Sequence, residues 1–218
     1  NQYFGKHYGN ITGVQLPQFS EYEYYRNNGQ KDEISGFAKA VVRADKLEFF
    51  GDLQLRNIHY KTWVLQAGDD GVDLKKNWLF FNPKAGVSYL IPSGKVFFSY
   101  AHAQREPNRD DLVANNDTKA EKLHDFEAGL EKSFGNLSFT ANAYYMLYKD
   151  QLVLTGVINN VGAYIRENVK DSYRTGLELG ALAKLAKWLD MSANLTLSKN
   201  KIKEVKSQKD NEVIYLKD

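Results

Sequence analysis

The side chains that could carry chemistry are few, and their spacing does not gather them. His7, His59, His102 and His124 are scattered along 218 residues with no HExxH or comparable ligand spacing, so they read as loop or lumen histidines. Cys is absent, which removes disulfides, thiolate metal sites and Cys nucleophiles together. Gly94-Lys95 could end a phosphate-binding loop, but position 89, where such a loop needs glycine, is Tyr89, and no GxGxxG occurs. Gly68-Asp69-Asp70-Gly71-Val72-Asp73 has the look of a calcium loop, yet it lacks the spaced ligands and closing Glu of an EF-hand. Asp110-Asp111 and the pair Glu127/Glu131 could suggest acid–base catalysis, but alternation places Glu127 and Glu131 in one row along a strand face. With no convergent acid, base or nucleophile, we expect no enzyme, no metal site and no cofactor.

The composition bounds the class. The 29 Lys+Arg against 27 Asp+Glu leave a formal charge of +2, so nothing suggests nucleic acid, which calls for a concentrated basic face. Aromatic residues make up 13% of the chain, too many for a disordered segment, and the length suits one all-β domain. No window approaches 18 consecutive apolar residues, which excludes a transmembrane helix but leaves a membrane β-barrel open.

The elements that must position these groups follow period 2. Leu137, Phe139, Ala141, Ala143, Tyr145 and Leu147 fall on one face, with Ser138, Thr140, Asn142, Tyr144, Met146, Tyr148 and Asp150 on the other. Leu189, Met191, Ala193, Leu195 and Leu197 repeat the pattern against Asp190, Ser192, Asn194, Thr196, Ser198 and Asn200. Phe126, Ala128, Leu130 and Phe134 do so against Asp125, Glu127, Gly129 and Glu131. The spacing predicts eight strands, over 33–43, 47–63, 78–91, 95–105, 122–134, 137–149, 166–185 and 189–200, with residues 1–30 and 201–218 as loop or loop-flanked strand ends. Gly176 to Leu189 fits a strand through Leu177, Leu179, Ala181, Ala183 and Leu185. It also fits an amphipathic helix through Leu182, Leu185, Ala186 and Leu189; the flanking strands favour the strand.

Tight turns at Ala44-Asp45-Lys46, Pro92-Ser93-Gly94, Gly135-Asn136 and Ala186-Lys187 alternate with long polar connections at 66–77, 106–120 and 151–164. Long strands with that alternation match an outer-membrane barrel, whose loops are long outside and short on the periplasmic side, better than a soluble sandwich. The fold class is therefore all-β: antiparallel up-and-down strands forming an incomplete segment of a transmembrane β-barrel. Leu137, Phe139, Ala141, Ala143 and Leu195 are expected to face outer-membrane lipid, and the polar face a wet or plug-filled lumen. Trp63, Trp78, Tyr148 and Trp188, near strand ends, are candidates for interfacial girdles or for ordinary buried aromatics at a sheet margin.

Several stretches also resemble a known family. Phe81-Asn82-Pro83-Lys84-Ala85-Gly86-Val87-Ser88-Tyr89, followed by Val96-Phe97-Phe98-Ser99-Tyr100-Ala101-His102-Ala103-Gln104-Arg105-Glu106-Pro107-Asn108-Arg109-Asp110-Asp111-Leu112, resembles a barrel stretch of TonB-dependent outer-membrane receptors. Tyr24-Tyr25-Arg26-Asn27-Asn28-Gly29, Gly51-Asp52-Leu53-Gln54-Leu55-Arg56, Ala143 to Gly156, and Arg174-Thr175-Gly176-Leu177-Glu178-Leu179 continue the match, which is nearest in flavour to Bacteroidetes receptors. The resemblance implies a barrel of about 22 strands around a plug, energised from the inner membrane through TonB. Residues 1–218 would then be an interior piece of the barrel domain, with the plug outside the sequence. It further implies import of a scarce small ligand such as a metal chelate: iron–siderophore, haem or cobalamin, or in some branches glycans. On that reading Asn108, Arg109 and Asp111 sit near the extracellular mouth, where they could touch ligand or brace one loop against another. The competing readings are a complete eight-stranded outer-membrane barrel with a structural or adhesion role, and a soluble all-β enzyme or lectin-like domain.

Overall fold

The computed structural model describes residues 2–9, 22–66, 72–158 and 164–202. They form one antiparallel sheet with strands in sequence order: β1 (Gln2–Gly9), β2 (Tyr22–Ala44), β3 (Leu47–Gln66), β4 (Val72–Ile91), β5 (Gly94–Arg105), β6 (Glu121–Phe134), β7 (Leu137–Ile158), β8 (Tyr164–Ala186) and β9 (Leu189–Ile202). One short helix, α1 (Arg109–Ala114), interrupts the β5–β6 connection. No pairing joins β1 to β9 among the described residues, so the sheet stays open and is not a closed eight-stranded barrel.

All eight predicted strands are present as β2–β9, and Gly176–Ala186 is strand, not helix. The differences lie at the polar ends. β1 joins the sheet as a ninth strand, and β2, β4 and β7 run well past their predicted bounds, taking in residues read as loop: 22–30, 72–77 and 151–158. At 22–30 and 72–77 charged and amide residues interrupt the apolar pattern, and 151–158 is an apolar run without alternation, broken by Gly156 at φ 80°, while the ladder of backbone hydrogen bonds continues. The tips 67–71 and 159–163, and with them most of the calcium-like loop, lie outside the described residues.

The short turns occupy Asp45-Lys46, Pro92-Ser93, Gly135-Asn136 and Lys187-Trp188. Asp45, Ser93 and Gly135 take positive φ, at 52°, 53° and 56°, as tight hairpin turns require. Leu90 N donates to Lys46 O, Ser133 N to Ser93 O and Lys184 N to Asn136 O, at 2.7, 2.8 and 2.9 Å. Each bond ties a strand back to the preceding turn while its own next turn lies about two to three residues farther along, the stagger that a closing barrel needs.

The sheet has two unlike faces. Leu47, Tyr89, Val96, Leu130, Ala141, Leu179 and Leu195 lie side by side in one cross-strand row. Phe49, Val87, Phe98, Ala128, Ala143, Leu177 and Leu197 form the next row on the same face. Most of the large residues in these rows are exposed, Leu195 by 53%. The opposite face, here the inner face, reads Ser88, Phe97, Gly129, Asn142, Glu178, Thr196 across the strands and carries the inward-folded 106–120 loop. Buried apolar residues, Ile58, Val64, Leu74 and Phe80, gather on this inner face toward the long-loop end. Among the girdle candidates, Trp63 lies on the outer face and Trp188 stands exposed in a turn. Trp78 and Tyr148 lie on the inner face, because each shares its strand's parity with inward residues. The outward aromatics at the long-loop edge of the apolar rows are instead Tyr100 with Phe126, 5.0 Å between ring centroids, and Tyr145 with Tyr173, 6.0 Å apart.

The inner face also carries three aromatic–glycine pairs. Phe50 stands opposite Gly86, Phe97 opposite Gly129 and Tyr144 opposite Gly176. In each pair the ring lies where a glycine side chain would have to go. Such rings cover exposed glycine backbone and pin the register of neighbouring strands.

Candidate functional site

The 106–120 loop folds over the inner face and is held from both sides. At its start, Glu106 Oε1 accepts from Lys31 Nζ at 2.6 Å and from Arg56 Nη2 at 3.4 Å. Glu33 takes a two-pronged bond from Arg56, at 2.8 and 3.2 Å, and pairs with Lys31 at 3.1 Å. The Arg56 guanidinium also lies 5.8 Å from the Phe80 ring centroid. Alternation makes this cluster possible, since Lys31, Glu33 and Arg56 are inward positions of neighbouring strands in the observed register.

Burial pushes the Glu106 carboxyl up, but the Lys31 hydrogen bond and the charges of Lys31 and Arg56 outweigh it and hold the group below its ordinary 4.5. A depressed carboxylate stabilises at pH above its unfolded value and loses that contribution as pH falls through the lower folded value. A nitroxide at exposed Asn116 in the full-length protein should therefore stay immobile near neutrality and gain mobility only as pH drops below about 4.5. Glu106→Gln should free it already at neutral pH. A label equally immobile in both proteins would show that the anchor does not depend on this charge.

The far side of the loop is built on α1. Asn108 caps it: Asp111 N donates to Asn108 Oδ1 at 2.8 Å, and Asn108 N donates to Asp111 Oδ2 at 3.1 Å. This reciprocal box satisfies two otherwise orphaned donors. Asp111 is 3% exposed, and its Oδ1 meets Arg166 Nη1 of β8 at 3.4 Å. Thr118 Oγ1 donates to the carbonyls of Asp111 and Asn115, and Lys119 N donates to Asn168 Oδ1 at 2.7 Å. Arg109 pairs with Asp110 at 2.9 Å. The structure thus brings Asn108, Arg109 and Asp111 together, with Asn108 and Asp111 forming the cap and the Arg109 side chain 37% exposed.

Beside the loop start lies an inner-face hollow of about 450 Å³, lined among others by Lys31, Tyr60, Trp78, Arg105, Asn108 and Arg109. Tyr60 and Trp78 lie 6.4 Å apart and make its aromatic side. No group of three His, Asp or Glu side chains able to hold a metal occurs among the described residues. The Lys31–Glu33–Arg56–Glu106 cluster escapes sequence reading because its members come from three separate segments. The helix does leave a signal: Asn108 with an acid three residues on and Leu112-Val113 behind it is a cap signature.

A sequence model of the family described as "TonB dependent receptor-like, beta-barrel" matches residues 1–216. No curated protein sequence matches the chain. Among solved structures, the siderophore receptor PiuA from Acinetobacter baumannii is similar at TM-score 0.69 and 18% identity, over 90% of this chain and 29% of that one. The copper transporter OprC is similar at 0.66 and 18%, over 97% and 33%. The ferric-catecholate import receptor Fiu from K12 E. coli is similar at 0.64 and 20%, over 83% and 29%. At such identities the likeness establishes fold, and the chain spans about a third of the length of these proteins. An open, staggered, two-faced sheet of long strands, matched almost end to end by one family, leaves a single assignment: the chain belongs to the TonB-dependent receptor β-barrel family, as a piece of the wall of a bacterial outer-membrane barrel.

Proposed function

We propose that this segment is part of the wall and outer mouth of a receptor that imports a scarce small ligand, driven through TonB by way of a plug that fills the lumen. The reading rests on the inner-face hollow at the long-loop end. Tyr60 and Trp78 offer flat apolar surface, while Arg105 and Arg109 stand at its rim with exposed guanidinium groups. That combination suits a metal chelate with planar or anionic donors, so iron–siderophore is the favoured class, ahead of haem, cobalamin or glycan. In this proposal Asn108 and Arg109 reach the cargo, and Asp111 holds them in place from its buried position beneath.

A plug partner is supported by the inner wall itself. Phe37 is 82% exposed there. A domain inside the barrel would cover it.

The deciding experiment deletes the parent gene and compares growth when siderophore-bound iron, haem, cobalamin or single glycans are the sole limiting supply. A defect on one supply, restored by the full receptor, identifies the cargo; unchanged growth on all, with no redundant receptor, overturns the transport reading. Sidedness is tested separately. Single Cys at Asn116 should react with an impermeant thiol reagent on intact cells, and Cys at Asn136 should not. The reverse pattern would invert the topology.

A further inference from the structure

The inner-face hollow is a cleft between two bodies. Lys31, Ile58, Tyr60 and Trp78 line it from the barrel wall, and Glu106 to Asp110 line it from the start of the 106–120 loop. Glu106 joins the two, because its Oε1 accepts from Lys31 Nζ at 2.6 Å and from Arg56 Nη2 at 3.4 Å. The joint is only half made. Glu106 Oε2 is buried and accepts no hydrogen bond from any other described residue. A carboxylate buried with one oxygen unanswered carries a desolvation cost that leaving the site would relieve. Its departure would not strand the cations. Glu33 takes two bonds from Arg56, at 2.8 and 3.2 Å, and pairs with Lys31 at 3.1 Å. Glu106 is the member of the cluster that can go.

The far end of the loop is held differently. Lys119 N donates to Asn168 Oδ1 at 2.7 Å, and Asn168 Nδ2 returns a bond to Lys119 O at 3.0 Å. Neither residue lines the cleft, and an amide pair offers no charge for an anion to compete with. Between the two ends, Asp111 meets Arg166 at 3.4 Å and Lys76 Nζ donates to Asn116 O at 2.7 Å. Both are contacts of solvent-exposed cations, which hold weakly. Pro107 is buried, and the Asn108–Asp111 cap closes the first turn of α1, so a displacement of Glu106 carries the helix with it.

We propose that an anionic group of the cargo, on entering the cleft, takes Lys31 from Glu106 and so unlatches the loop from the barrel wall. This rests on the hollow being the cargo site and adds that filling it moves the loop. One anion replaces another at the same ammonium, and the freed loop pivots about the Lys119–Asn168 pair. Cargo binding and loop position are thereby coupled through a single side chain, and the coupling runs equally in both directions.

The test uses the full-length receptor in neutral detergent, with a nitroxide at Asn116 reporting the loop and calorimetry reporting binding. The probe is citrate, a compact polycarboxylate, and sodium chloride at equal ionic strength controls for screening. Citrate should bind the unmodified receptor and mobilise the label, and the salt should leave the label immobile. Glu106→Gln removes the competitor and should bind citrate about fivefold more tightly, with a label that citrate no longer changes. A loop that merely props the cleft open would make that variant bind more weakly, so equal or weaker binding overturns the exchange. Lys31→Gln should free the label without citrate and weaken citrate binding. Citrate bound with the label still immobile, or a label freed as much by salt, also overturns the exchange and leaves the hollow an anion site. No citrate binding at all overturns the reading of the hollow as an anion site, and the exchange with it. These last outcomes are read on the unmodified receptor, so they stand even if a variant does not fold.

Discussion

Arginine at Ala141 should cost the full receptor about 2–4 kcal/mol of refolding stability, whereas Asn142→Arg, one residue on, should cost far less. Ala141 sits between Leu130 and Leu179 on the outer face, five positions above the Gly135-Asn136 turn, with apolar residues above and below it on β7. A guanidinium there meets hydrocarbon with no partner in reach. At position 142 it would face the lumen opposite Glu178. Urea titrations of the two variants in lipid vesicles make the comparison. Equal midpoints would show that the outer face does not meet lipid.

The second large effect is expected at Gly129. A Cβ there would collide with the Phe97 ring and stand 2.9 Å from the carbonyl oxygen of Ala141, which the ladder holds in place. Gly129→Val should therefore destabilise by about 1–3 kcal/mol through overpacking. Phe97→Ala in the same chain should recover part of that loss, since the ring is one of the two obstacles. Gly51 provides the control, because a Cβ added there would meet nothing within 4 Å and Gly51→Val should be tolerated. A penalty at Gly51 as large as at Gly129 would refute the steric account.

The apolar half of this protein is written plainly in the chain. Leu137 to Leu147 and Leu189 to Leu197 alternate strictly between apolar and mostly polar positions, and that repeat sets strand number, order and side. Two things are not legible from alternation. Strand length is underread in β2, β4 and β7, where polar residues interrupt the pattern or, at 151–158, an apolar run carries no alternation, and only backbone pairing marks the strand. The inner-face constellation depends on register. Glu106 meets Arg56 across 50 residues of chain, and Phe97 covers Gly129 from a different strand; neither spacing has a local signature. Asn108 and Asp111 can be picked out by residue type, but their mutual cap is visible only with α1 in place.

The stagger of the hairpins fixes more than closure. Leu47 directly follows its turn, Ala141 is five residues above its own, and Leu195 is seven above its own, yet all three belong to one hydrogen-bonded row. With a rise of about 3.3 Å per residue and about 4.8 Å between strands, a slip of about one residue per strand inclines the strands by about 35–40° to the barrel axis. The row is therefore a ramp and not a circle of latitude: from Leu47 to Leu195 it climbs about 16 Å along the membrane normal. Side chains that touch across the ladder meet different depths of the bilayer, and the same charge placed at successive steps of that ramp samples the membrane from its periplasmic rim toward its outer one.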